Sequence, residues 1–174
     1  MERSKLEKIL MYVGLSSFVL AFIFFNVAPL LGSNGFDYVG IIAFGKGFGA
    51  LFSFKFSDGP TVLFGGLFFI ALVCLVIWFI QLATKEGKKE DFIRLAIAAL
   101  GVFIAFGIYG GMFVAKVDFN GKEQILYDGI RRAVGSGFAK VLAMMSVGLS
   151  YLSIMVFTLL AFMGFEHYIF QDEI

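Results

Sequence analysis

The residues able to do chemistry are few in this chain, and their spacing does not assemble a centre. His167 is the only histidine and stands beside Glu166, which together supply too few ligands for a metal ion; no serine, cysteine or lysine nucleophile is coupled to them. Cys74 is the only cysteine and falls in the middle of an apolar run. That excludes an intrachain disulfide and a cysteine-based zinc site, and leaves packing as its expected role. Asp37, Asp58, Asp118, Glu123 and Asp128 lie in connecting segments without an evident partner for acid–base work. The glycine-rich GKGFGA at 45–50 lacks the GxxxxGK[ST] spacing of a phosphate-binding loop and opens no βαβ unit. A formal net charge of +1 without a clustered basic face argues against a nucleic-acid partner. No catalytic, metal or cofactor-binding residue is assigned, and the expectation is a protein that is not an enzyme.

The elements that would position these residues are membrane spans. Of 174 residues, 60% are hydrophobic and 16% charged, against about half and a quarter in soluble domains. Four apolar segments, Ile9–Leu31, Val62–Ala83, Phe92–Ala115 and Val141–Phe165, are each long enough as helices to cross a hydrocarbon core of roughly 30 Å. The first exceeds a signal-peptide apolar region and reads as an uncleaved signal anchor. The fold class expected is an all-α membrane protein: a single four-transmembrane-helix bundle over 1–174, with outer loops 32–61 and 116–140. No Asp, Glu, Lys, Arg or His lies in the central part of any span, which counts against proton relays, voltage sensing and ion-coupled transport.

Orientation rests on the density of basic residues. Arg3, Lys5, Lys8, Lys85, Lys88, Lys89 and Arg94 crowd a short tail and a short turn beside helix ends. An equal number, Lys46, Lys55, Lys116, Lys122, Arg131, Arg132 and Lys140, spread through the longer loops. Density therefore places both termini in the cytoplasm, most simply of a multi-pass cell-membrane protein.

The two outer loops resemble each other. Tyr38-x-Gly40-Ile41 followed by Gly45-x-Gly47-Phe48-Gly49 is echoed by Tyr127-x-Gly129-Ile130 followed by Gly135-x-Gly137-Phe138-Ala139, and an Asn-Gly pair precedes both. A true duplication would divide the chain into helix-loop-helix units at 1–84 and 85–174, related by an axis along the membrane normal. Phe52, Phe54 and Phe56 alternate with Ser53, Lys55 and Ser57, a strand period. The first loop is thus expected to form a hairpin, YVGIIAF and FSFKFS turning at Gly45-Lys46-Gly47; the competing reading of 41–54 is a re-entrant or interfacial segment. In the second loop Val117 and Phe119 alternate with polar residues, Asn120-Gly121 suits a type I′ turn, and 124–127 is the expected return strand. Strands from both loops are expected to make a small extracytoplasmic β-hairpin or β-sheet cap.

Within the bundle, Gly101-xxx-Ala105 and Gly107-xxx-Gly111-xxx-Ala115 in the third span, and Ser146-xxx-Ser150 in the fourth, have the small-residue spacing that permits close helix approach, and predict tight packing along these two spans. The span hydroxyls are expected to bond their own helix backbone. Pro29 is expected to kink or end the first helix, and Trp78 to anchor at an interface.

The functional expectation is a non-enzymatic membrane scaffold or accessory subunit. It would act on other membrane proteins or copies of itself through Tyr38, Gly40, Gly45, Lys46, Gly47, Phe48, the three loop phenylalanines, Tyr127, Arg131 and Arg132. The alternative is a small oligomeric channel or transporter for an uncharged or lipid-like substrate; an enzyme acting on lipid through the loop carboxylates ranks last. The span arrangement resembles that of claudin-type and tetraspanin-type proteins, but the loop tryptophan and cysteines of those families are absent.

Overall fold

The structure, a computed structural model, describes residues 3–33, 38–53, 59–133 and 137–169, without the side chains of 50–53 and 167–169. It is mostly helical. In chain order the elements are α1 (Arg3–Gly32), α2 (Val39–Ser53), α3 (Gly59–Thr84), α4 (Lys89–Phe113), β1 (Lys116–Phe119), β2 (Lys122–Ile125), α5 (Leu126–Arg132) and α6 (Gly137–Ile169). Helices α1, α3, α4 and α6 are long and apolar enough to cross a membrane. Helices α1 and α6 run beyond the apolar segments at both ends, whereas α4 begins earlier, at Lys89, and stops at Phe113, two residues short of the expected end. Pro29 does not end α1, which continues to Gly32.

The chain forms two compact units, each drawing on both halves of the sequence: residues 1–16, 56–103 and 152–174 in the first, residues 17–55 and 104–151 in the second.

The first unit packs four helix segments. Helix α3 buries Phe64, Phe68, Ala71, Leu75, Trp78 and Leu82, spaced three or four residues apart along one face. Its other face leaves Leu63, Phe69 and Phe79 exposed, so α3 is apolar all round. A Cβ on Gly14 would stand 2.7 Å from Phe157 Cζ, so this glycine of α1 makes room for the Phe157 ring of α6. At the charged end, Glu7 receives Arg3 at 3.2 Å and Arg94 at 3.5 Å, while Arg94 also faces Asp91 at 3.6 Å. Such partly exposed pairs contribute about 1 kcal/mol or less each, so they orient helix ends more than they hold the unit together.

The second unit has a core of Phe25, Ala28, Ala43, Ile108, Met112, Phe119, Leu126 and Ile130, with neighbours from α1, α2, α4, β1, α5 and α6. Strands β1 and β2 pair antiparallel with Lys116 opposite Ile125 and Phe119 opposite Lys122. Asn120 and Gly121 form the two-residue turn at φ of 55° and 77°, the left-handed pair of a type I′ turn. Val117 and Phe119 are buried while Lys116 and Asp118 are exposed, so the alternation in this loop does mark a half-buried strand. The return strand is 122–125, and Leu126 already begins α5.

The first loop is different. Val39–Ser53 is a helix, so no strand pairs across Gly45-Lys46-Gly47, and among the described residues the small sheet comes from the second loop alone. The physical reason is visible in the buried positions: Val39, Ala43 and Gly47 recur every fourth residue, and a helix puts all three on one face. Phe54 and Phe56, on which the strand reading chiefly rested, lie outside the described residues.

Candidate functional site

Helix α2 is held by contact of backbone on backbone. A Cβ on Gly47 would lie 2.5 Å from both Gly107 O and Gly111 N of α4, and one on Gly110 would lie 2.7 Å from Gly47 O. Gly111 likewise faces Ala43 O at 2.6 Å from its Cβ position. No side chain fits in this seam, and that is what glycine at these positions provides. Around it, a Cβ on Gly107 would meet Phe44 at 2.6 Å and Phe48 at 2.8 Å. The Phe44 ring stands edge-on to Phe22 at 5.3 Å and to Phe48 at 4.9 Å, with Phe25 at 6.4 Å. Edge-to-face pairs of this kind contribute about 0.5–1.5 kcal/mol each beyond buried area. The close approach expected of the third span is therefore made, in this unit, with α2.

Polar contacts tie the surrounding pieces together. Lys46 Nζ donates to the carbonyl of Lys116 at 3.1 Å, so the one charge on α2 reaches along the helix to the start of β1. Asn120 Nδ2 donates to the carbonyl of Gly32 at 3.1 Å, satisfying a carbonyl that the end of α1 leaves open. Gln124 Nε2 donates to the carbonyl of Phe119 at 3.1 Å. Gly129 closes this corner, since a Cβ there would stand 2.5 Å from the Phe119 ring. Tyr127 packs on Phe113 at 5.0 Å, Phe113 on Tyr109 at 5.1 Å, and Tyr109 on Tyr151 at 5.9 Å, an aromatic ladder joining α5, α4 and α6.

Comparison with protein-family models, with curated proteins and with solved structures finds no match. The site is therefore read from its own geometry.

The residues singled out in the loops have different surroundings. Gly40, Gly47 and Phe48 are packed, Gly40 against Asn26, whose Nδ2 donates to the carbonyl of Phe22 at 2.8 Å. Tyr38, at 78% exposure, and Gly45, with nothing within 4 Å of its Cβ position, stand on open surface. Phe52 belongs to the backbone of α2. In α5, Arg131 and Arg132 are exposed, and Arg131 faces Asp128 at 3.9 Å. The echoed motifs both sit at the start of a helix, but Ile41 is exposed where Ile130 is fully buried. Among the packing residues, Gly101 and Ala105 are buried, in the first and second units respectively, and Ala115 is buried beside β1. Ser146 Oγ donates to the carbonyl of Ala143 at 2.7 Å and Ser150 Oγ to that of Ser146 at 2.8 Å, so these hydroxyls do bond their own helix.

Gly110, Ala43 and Phe44 share the seam and were not expected there. The four-residue spacing of Val39, Ala43 and Gly47 is the signal that points to them.

Proposed function

We propose that this chain is a multi-pass membrane protein that acts by protein–protein contact, with α2 as its recognition element. The observation that carries this reading is the two-sidedness of α2. One side is locked to α4 through glycine, while the other presents Tyr38, Ile41 and Ile42, the last two 60% and 54% exposed. Gly45 and Gly49 lie among them with open space where a Cβ would be. An apolar edge interrupted by small residues four apart suits the close approach of another helix. At 15 residues α2 is about 22 Å long, short of the roughly 30 Å a span needs, which favours an interfacial or re-entrant placement. On this reading α2 and the hairpin face outward, and the basic end of the first unit faces the cytoplasm.

A photo-crosslinking residue at Ile42, compared with one at Leu100 on α4, tests the proposal in native membranes. Discrete protein adducts are expected from position 42 and not from position 100. Absence of protein adducts from both, with a monomeric mass after gentle extraction, would overturn it.

A further inference from the structure

Helices α3 and α4 of the first unit leave a groove of about 430 Å³ between them, and every residue that lines it is apolar. Leu75 and Leu95, 5% and 7% exposed, are the buried residues at its floor. The hollow exists because α4 places Ala96 and Ala99 there, where longer side chains would fill it. Phe79 and Phe92 stand at the end nearest the α3–α4 turn. At the other end Phe103 meets Phe68 edge-on at 6.0 Å, and this ring pair bridges the two helices and closes the groove.

Length decides what can lie in it. From Phe92 to Phe103 the helix rises about 16 Å, about half of the roughly 30 Å hydrocarbon core. With α3 and α4 across the membrane, the groove therefore occupies one leaflet and starts beside the polar turn. A partner's membrane helix crosses both leaflets and would run on past the Phe68–Phe103 pair, whereas an acyl chain ends at mid-membrane. No hydrophobic force draws an apolar group out of lipid, so retention comes from van der Waals contact on several sides at once. At the open end Lys89 begins α4 three residues before Phe92, on the same side of the helix. It is exposed and forms no ion pair among the described residues, which leaves a positive charge at the mouth of the groove.

We propose that this groove holds one acyl chain of an anionic membrane phospholipid, with the phosphate beside Lys89. The chain lies over Leu75 and Leu95 and stops at the Phe68–Phe103 pair, while the phosphate oxygens accept from the Lys89 ammonium. The site rests on α3 and α4 crossing the membrane and on nothing assigned to α2, so it stands or falls apart from the recognition role of that helix.

The full chain is reconstituted in phosphatidylglycerol vesicles, transferred to a mild detergent and weighed intact by mass spectrometry. One phosphatidylglycerol retained per chain is the expected result. Ala96→Phe, which fills the groove from an exposed position, should abolish the retained lipid, while Leu100→Phe, on α4 outside the groove, should keep it. Lys89→Glu should lower the retained fraction by about fivefold or more and leave the melting temperature unchanged. No retained lipid on the wild type, or a folded Ala96→Phe or Lys89→Glu that retains as much as the wild type, would overturn the proposal. So would a dimer mass that Ala96→Phe abolishes, because a second copy would then occupy the groove.

Discussion

Gly47 of α2 and Gly110 of α4 meet with no side chain between them: a Cβ on Gly110 would stand 2.7 Å from the carbonyl oxygen of Gly47. Atoms of two backbones cannot swing aside as the end of a long side chain can, so this contact fixes how closely α2 approaches its neighbour. It also separates the glycines of α2 into those that the packing requires and those that face open space.

Gly47→Ala should therefore lower stability by about 3 kcal/mol, at the upper end of what overpacking costs, and Gly107→Leu or Gly111→Leu should prevent a normally folded product. Gly45→Ala and Gly49→Ala, with nothing within 4 Å, should be neutral or raise stability by about 0.5–1 kcal/mol through helix preference. Thermal unfolding of the three alanine variants in one detergent measures the contrast, and equal melting temperatures for Gly45→Ala and Gly47→Ala would remove the seam from the account.

Asn120 has two separable roles, a left-handed backbone at φ of 55° and a side-chain hydrogen bond to Gly32. Asn120→Gly keeps the first and loses the second, at an expected cost of about 1 kcal/mol. Asn120→Ala loses both, and should cost about 1–2 kcal/mol more because a Cβ disfavours the left-handed region. The order of melting temperatures, wild type above Gly above Ala, is the expected result.

The proposed orientation makes a prediction of its own. Ser33→Cys, at the end of α1, should react with a membrane-impermeant maleimide added outside intact cells, and Lys88→Cys, in the α3–α4 turn, should react only after the membrane is opened. Cys74 lies within α3 and is replaced by alanine in both variants to remove background labelling. Labelling of position 88 from outside would reverse the assignment.

How much of this was legible in the chain depends on where each interaction's information is stored. The second-loop hairpin was legible because its cause is local: Asn120-Gly121 accepts the left-handed turn, and Val117 and Phe119 alternate with polar neighbours on either side. The serine hydroxyls bonding their own helix were legible for the same reason, since donor and acceptor are three or four residues apart. The strand reading of the first loop fails at YVGIIAF, where α2 packs its small residues on α4, while most of FSFKFS lies outside the described residues. The small-residue period of Val39, Ala43 and Gly47 is weak as a local signal, since glycine disfavours a helix unless something packs against it.

Sequence alone determined that four helices are long and apolar enough to cross a membrane, because length and apolar composition are properties of a continuous run of residues. It also determined the turn between β1 and β2. Only the tertiary structure decided that Gly47 meets Gly107, Gly110 and Gly111, that Asn120 caps the end of α1 at Gly32, and that Arg3, Glu7 and Arg94 gather beside Trp78. Those residues are far apart along the chain, and a glycine seam or a charged cleft exists only once distant backbones have been brought within a few ångströms of each other.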